Sequence, residues 1–189
     1  ILTTPEATVT ALLLRHHGLC LGYLVRELAC QSIDMKALAA LGLKARPWLS
    51  GLKDANSATV TVDGQAYDAA SLRSQVLKTT TGDCIAYMTD FVADEPERHR
   101  LAPLLAGVKT LYAEAQYAAD DGELAQRYHH STVEQIAQLA QAAGAGCYTL
   151  LHLSHRYTPD QWIGMLVTAQ AIFPNSRFVD EWCSAADPA

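Results

Sequence analysis

Long hydrophobic runs are missing from this 189-residue chain. Its apolar stretches, such as Ala11–Leu14 and Leu150–Leu153 with its histidine, are strand-sized, far short of the roughly 18–20 residues that span a bilayer. No membrane association is expected. Cysteine is sparse and unpatterned: Cys20, Cys30, Cys84, Cys147 and Cys183 are odd in number and show no CxxC spacing. That argues against a disulfide scaffold and for small buried thiols in a reducing cytoplasm. Positive charge is also in deficit, with 14 Lys and Arg against 20 Asp and Glu, a net charge of -6. No global field draws nucleic acid to the molecule, and any RNA contact has to come from a local patch. The opening Ile1-Leu2-Thr3-Thr4-Pro5 is neither an initiator methionine nor a signal peptide, so the chain is expected to be a fragment or part of a longer product. Internal repeats, low-complexity tracts and linkers are lacking, which predicts a single domain over 1–189.

What is present is apolar content of 50%, enough for one real core. Thr8–Leu14 and Leu21–Arg26 read as paired strands around His16-His17-Gly18. Asp34–Leu41 has helical spacing, with Asp34 as N-cap and Gly42 as stop. Residues 44–57 read as an irregular excursion. Thr59–Val62, the Asp63-Gly64 dipeptide and Ala66-Tyr67 predict a hairpin. From Cys84 the text alternates: strand 84–89, helix about 97–105, strand 110–114, helix about 122–129, helix 132–143, strand 147–152 and helix 159–172. A capping box of Ser131 and Glu134 is expected to open the 132–143 helix, and Gly144 to end it. The pattern predicts an α/β fold.

Chemistry-bearing residues stand at the ends of these apolar stretches. Cys84–Asp90 is a buried strand delivering a carboxylate, and Cys147–Tyr157 a second strand delivering His152 and then Arg156. Strand-end residues converging on one rim are how open α/β sheets build sites. Imidazoles at 16 and 152 with the carboxylate of Asp90 suit zinc or another borderline divalent ion, and a carboxylate can bridge two of them. Two such ions clamp a phosphodiester. At a helix mouth the protonated form of His130 needs a compensating carboxylate, and Glu114 at the end of strand 110–114 is the candidate. A Glu–His pair of that kind is a proton donor for a leaving alkoxide. Arg156 at the rim has the planar shape that phosphate favours. Taken singly, each has a plainer reading: a helix cap for Asp90, a satisfied core histidine for His152, a surface acid for Glu114, a turn residue for His130, and a surface salt bridge for Arg156.

Read together, His16…Gly22-Tyr23, Tyr-Met-Thr-Asp at 87–90, Glu-Ala-Gln-Tyr at 114–117, His-Ser-Thr at 130–132 and His-Leu-Ser-His-Arg-Tyr at 152–157 resemble the ribonuclease Z (tRNase Z) branch of the metallo-β-lactamase fold. The resemblance runs over essentially the whole chain. It implies an αββα sandwich, of which this chain supplies mainly the C-terminal half. The family's His-x-His-x-Asp-His motif is absent and would precede Ile1. It also implies a dinuclear zinc site with His16, Asp90 and His152 as ligands and Asp90 bridging. His130, backed by Glu114, would be the proton donor, and Ser154, Arg156 and Tyr157 would lie near the scissile phosphate. The excursion at about 33–53 would be the remnant of an arm that grips tRNA, with Lys44, Arg46 and Lys53 as its charge. The activity so implied is phosphodiester cleavage of the tRNA 3′-end processing type, acting on precursor tRNA. Two alternatives stand beside it: hydrolysis of small esters, lactones or cyclic phosphodiesters on the same scaffold, and a non-catalytic scaffold. A lone half-sandwich exposes an apolar sheet face, which predicts a dimer or other association through that face.

Overall fold

The computed structural model describes residues 1–54 and 56–179, so Cys183 lies outside the described residues. In chain order the elements are β1 (Leu2–Thr3), β2 (Ala7–Arg15), β3 (Leu19–Glu27), β4 (Cys30–Ile33), α1 (Met35–Ala40), α2 (Trp48–Lys53), β5 (Thr59–Val62), β6 (Gln65–Asp68), α3 (Ala69–Val76), β7 (Leu77–Thr80), β8 (Cys84–Met88), α4 (Glu95–Leu101), β9 (Thr110–Glu114), α5 (Gly122–Arg127), α6 (Val133–Ala143), β10 (Tyr148–Leu151), α7 (Pro159–Ile172) and β11 (Ser176–Phe178). They divide into two compact units, one of Ile1–Glu27 with Asp83 onward, the other of Leu28–Gly82.

The first unit is built on a seven-stranded sheet of order β1-β2-β3-β8-β9-β10-β11. The β1, β2, β3 and β8 neighbours pair antiparallel, and β8, β9, β10 and β11 run parallel. Parallel pairing needs long crossovers, and α4, α6 and α7 supply them. Period-two alternation decides which face they cover. Leu12 and Leu14 of β2, Leu24 of β3 and Ala86 and Met88 of β8 are buried in one core with Leu101, Ile136, Leu139, Met165 and Ala169 from the helices. The residues between them point the other way. Leu13, Leu21, Tyr23, Ile85 and Tyr87 are 59%, 39%, 43%, 39% and 49% exposed, which leaves an apolar face on this side of the sheet. Tyr23 and Tyr87 are direct cross-strand partners there.

Two glycines permit close approaches in this unit. A Cβ on Gly22 would lie 2.9 Å from Met88 Cγ and 3.1 Å from Leu14 Cδ1, so β3 packs against its neighbours only without a side chain there. A Cβ on Gly146 would meet the Lys109 carbonyl oxygen at 2.6 Å, a backbone atom that cannot swing aside.

The second unit has its own core of Leu38, Leu52, Val60, Val62, Ala69, Leu72 and Val76. The hairpin forms as expected: β5 pairs β6 antiparallel around Asp63 and Gly64, both at positive φ (49° and 85°), as a type I′ turn requires. Asp34 caps α1 by accepting from the Lys36 and Ala37 amides. The stretch 44–57 is not wholly irregular, because Trp48–Lys53 is helical and inserts the fully buried Leu52. Pro47 presets the φ of −52° from which that helix starts. The β4–β7 ladder and α3 were not anticipated from sequence.

The opening of α6 also differs from expectation. Thr132 is the N-cap and forms the capping box with Gln135, one residue later than Ser131 and Glu134. Ser131 is instead fully buried, donating to the Phe91 carbonyl at 2.6 Å and accepting from the Ala93 amide at 2.9 Å. Gly144 ends α6 in the left-handed conformation, at φ 60°. Among the described residues no helix is long and apolar enough to cross a membrane.

Candidate metal centre

Topology explains why residues far apart in sequence meet. β8, β9 and β10 are parallel neighbours, with Met88 opposite Ala113 and Glu114 opposite Leu151. Their carboxyl ends therefore share one edge of the sheet, where Asp90, Glu114 and His152 are delivered. β2 is antiparallel to β3, which is antiparallel to β8, so β2 ends at the same edge and contributes His16. The Val92 amide donates to the Arg15 carbonyl at 2.9 Å and ties the β2 and β8 termini together. His130 comes from the turn between α5 and α6.

Two groups of three ligating side chains result. His16, Asp90 and His130 each offer an atom within 4.8 Å of the others, and so do Glu114, His130 and His152. His152 Nδ1 lies 3.7 Å from Asp90 Oδ1, so Asp90 is within reach of both His16 and His152. The His130 ring is 5.0 Å from that of His16 and 5.5 Å from that of His152, centroid to centroid. Imidazole and carboxylate donors at this spacing fit a borderline divalent ion such as zinc. Each of the two groups offers such donors, with His130 common to both.

Backbone strain is concentrated here. Of four non-glycine residues at positive φ among the described residues, three are Asp90 (58°), His129 (58°) and His152 (50°). Left-handed backbone is unfavourable for residues with a Cβ, and such outliers gather where function needs a side chain aimed off the regular path. Each of Asp90 and His152 closely follows a strand and is turned into the shared space by this conformation.

The Glu114–His130 pair is the most buried part. Glu114 is wholly inaccessible; its Oε1 accepts from the Phe91 amide at 2.8 Å and its Oε2 from His130 Nδ1 at 2.8 Å. Tyr148 donates its hydroxyl to the Glu114 carbonyl at 2.8 Å, steadying the end of β9. Burial drives the Glu114 carboxyl upward from its ordinary range, against the hydrogen bonds from His130 and Phe91. Burial lowers His130, but the hydrogen bond and charge of Glu114, with the charge of Asp90, outweigh it and the net direction is upward. The pair thus holds a proton more tightly than a free imidazole does.

The residues expected near a phosphate lie beyond β10. The Arg156 guanidinium sits 5.7 Å from the Tyr117 ring centroid, and that ring is 6.0 Å from His130. Ser154 accepts from the Arg156 amide at 3.4 Å, and its carbonyl accepts from Trp162 Nε1 at 3.2 Å. Tyr157 donates its hydroxyl to Asp121 and accepts from the Ala118 amide at 3.1 Å, so it pins the loop in place. Two residues to which sequence reasoning gave no role also stand at the rim. The rings of His17 and His129 are 4.2 Å apart, and His129 accepts a hydrogen bond from His16. The adjacent doublets His16-His17 and His129-His130 were the only signal available for them.

No family model matches the chain. Ribonuclease Z of Deinococcus radiodurans is 50% identical to it over 182 residues, 96% of this chain and 55% of that protein. Ribonuclease Z of Gloeothece citriformis is 34% identical over 178 residues, 91% of this chain and 53% of that protein. Among solved structures, the metallo-beta-lactamase fold protein YhfI from Bacillus subtilis matches with a TM-score of 0.53 at 18% identity, covering 94% of this chain and 48% of that one. That likeness is one of fold. The chain is a homologue of ribonuclease Z with the mixed α/β architecture of the metallo-β-lactamase fold, and it spans about half the length of the curated relatives it matches.

Proposed function

We propose that this chain forms part of a zinc-dependent phosphodiesterase of the ribonuclease Z kind, cleaving RNA at the 3′ end of precursor tRNA. The observation that carries the reading is Asp90 within reach of both His16 and His152, with the Glu114–His130 pair beside them. In this reading His16, Asp90 and His152 would hold the zinc. When bound, such ions supply positive charge to the phosphate oxygens and acidify water near neutral pH. His130, kept protonated by Glu114, passes its Nε2 proton to the departing ribose oxygen. Arg156, held over Tyr117, orients the phosphate, with Ser154 and Tyr157 shaping the loop around it.

RNA as substrate draws support from the names of the relatives and from charge distribution. The Leu28–Gly82 unit carries six basic and four acidic residues within a chain of net charge -6. We propose that this unit is the RNA-gripping insertion, with Lys44, Arg46 and Lys53 contributing. The exposed apolar face of β2, β3 and β8 supports association with a second polypeptide surface, another copy of the chain included. The test is a comparison of cleavage of precursor tRNA with that of a chromogenic phosphodiester, using an active protein that carries these residues. Cleavage of both is expected. Turnover of the small ester alone overturns the RNA reading in favour of small-ester hydrolysis, and absence of stoichiometric zinc with no turnover favours a scaffold.

A further inference from the structure

We infer that His129 is the positioning residue for His16, acting through its backbone carbonyl. His16 Nδ1 lies 2.8 Å from the His129 carbonyl oxygen, across 113 positions of sequence. A carbonyl oxygen can only accept, so Nδ1 must carry the hydrogen. In the neutral ring this leaves Nε2 with its lone pair free, and Nε2 is then the atom a cation meets.

The carbonyl is aimed there by an unusual backbone. His129 has φ 58°, a conformation in which glycine is the ordinary occupant. It stands directly after Tyr128, the C-cap of α5, where chains often turn left-handed to close a helix. Two hydrogen bonds hold the turn: the His129 amide to the Gln126 carbonyl at 3.3 Å and the His130 amide to the Ala125 carbonyl at 2.8 Å. The His130 bond makes the same turn present the proton-donor candidate on one side and the His16 acceptor on the other.

The ring of His129 is a second, independent contact on the same segment. It packs against the His17 ring at 4.2 Å, tilted by 52°, and lies edge-on to His16 at 6.3 Å. Glycine would relieve the backbone but could not make these contacts. The segment 16–17 is therefore gripped twice by residue 129, once through the carbonyl and once through the imidazole. His16 and His130 are thereby coupled through one turn.

The metal part of this inference rests on His16 being a ligand, as proposed above; the positioning part does not. The experiment separates them. The nitrogen-15 signals of His16 are recorded in the metal-free protein for the wild type and for His129→Gly, His129→Ala and His129→Val, and zinc affinity is then measured by competition with a chromophoric chelator. The wild type and His129→Gly are expected to show hydrogen on Nδ1 of His16. His129→Val, whose β-branched side chain resists positive φ, should move hydrogen to Nε2 and weaken zinc binding about tenfold or more. His129→Ala, which keeps a Cβ but removes the ring, should match His129→Gly, and the wild-type signal alone tests the carbonyl contact if the valine variant fails to fold. Hydrogen on Nε2 in the wild type, or an unchanged His16 signal in folded His129→Val, overturns the inference. The expected signals with no zinc uptake by the wild type would uphold the positioning role and overturn the ligand role of His16.

Discussion

Ser131 and Phe91 are joined by a 2.6 Å hydrogen bond from hydroxyl to carbonyl, and this buried contact locks the loop carrying Asp90 to the turn carrying His130. The same hydroxyl accepts from the Ala93 amide. Ser131→Ala strands a buried carbonyl and a buried amide at once. It should destabilise the protein by about 1–3 kcal/mol, read as a lower midpoint in urea unfolding. An unchanged midpoint would mean that the two loops are held together by other contacts.

His130 is the residue whose removal should separate chemistry from metal binding. In an active protein carrying these residues, His130→Ala is expected to reduce turnover about 100-fold or more, with bound zinc nearly unchanged. Loss of metal on that substitution would make His130 a ligand instead of a donor.

The Glu114–His130 pair also sets a pH dependence. The pKa of His130 is raised above its ordinary 6.5 in the folded protein. A raised pKa means that the folded state binds the proton more tightly than the unfolded state. The contribution of His130 to stability is therefore fully present below about 6.5 and is lost as pH rises through its higher folded value. Glu114, also raised, acts with the same sign. Glu114→Gln should lower the His130 titration midpoint, measured by NMR on metal-free protein, and flatten the alkaline loss of stability. A midpoint that stays in place would remove Glu114 as the cause.

The two close-approach glycines should differ in cost. Gly146→Ala meets the Lys109 backbone carbonyl at 2.6 Å, whereas Gly22→Ala meets mainly side-chain atoms, Met88 Cγ at 2.9 Å and a methyl of Leu14 at 3.1 Å, with the Tyr87 carbonyl further off at 3.3 Å. Overpacking costs about 1–3 kcal/mol, and Gly146→Ala should lie at the upper end and Gly22→Ala lower. Denaturant unfolding of both variants gives the order, and the reverse order contradicts this account.

The exposed sheet face predicts association. Replacing Tyr23 by Lys and Tyr87 by Glu puts opposite charges on direct cross-strand partners, which the sheet tolerates. Sedimentation should show the double variant at lower average mass than the wild type, with its unfolding midpoint little changed. Equal masses would show that this face does not mediate self-association.

Local pattern was enough to locate much of this architecture. Alternation in Thr8–Leu14 and Cys84–Met88 marks strands because one face of each is buried and the other is not, and Asp63-Gly64 marks a hairpin because few other residues tolerate its turn. Other elements were illegible for equally local reasons. β4, β7 and β11 span three or four residues each, too short for a period to show. Thr132 and Ser131 are adjacent hydroxyls with acceptable partners three residues on, and only packing decides which one caps α6. The face on which a strand-end residue emerges likewise depends on a left-handed turn at Asp90 and His152 that residue type alone does not announce.

By itself, the sequence determined the kind of chemistry available: imidazoles, carboxylates and one guanidinium at the ends of apolar stretches, without the net positive charge of a globally basic molecule or the cysteine spacing of a disulfide scaffold. The tertiary structure alone decided that β2, β8, β9 and β10 end at one edge, that Asp90 comes within reach of both His16 and His152, and that His129 reaches back to His16. The reason is physical. Residue type follows from local environment and can be read along the chain, whereas proximity depends on strand order and crossover connections, which bring together positions more than 100 residues apart.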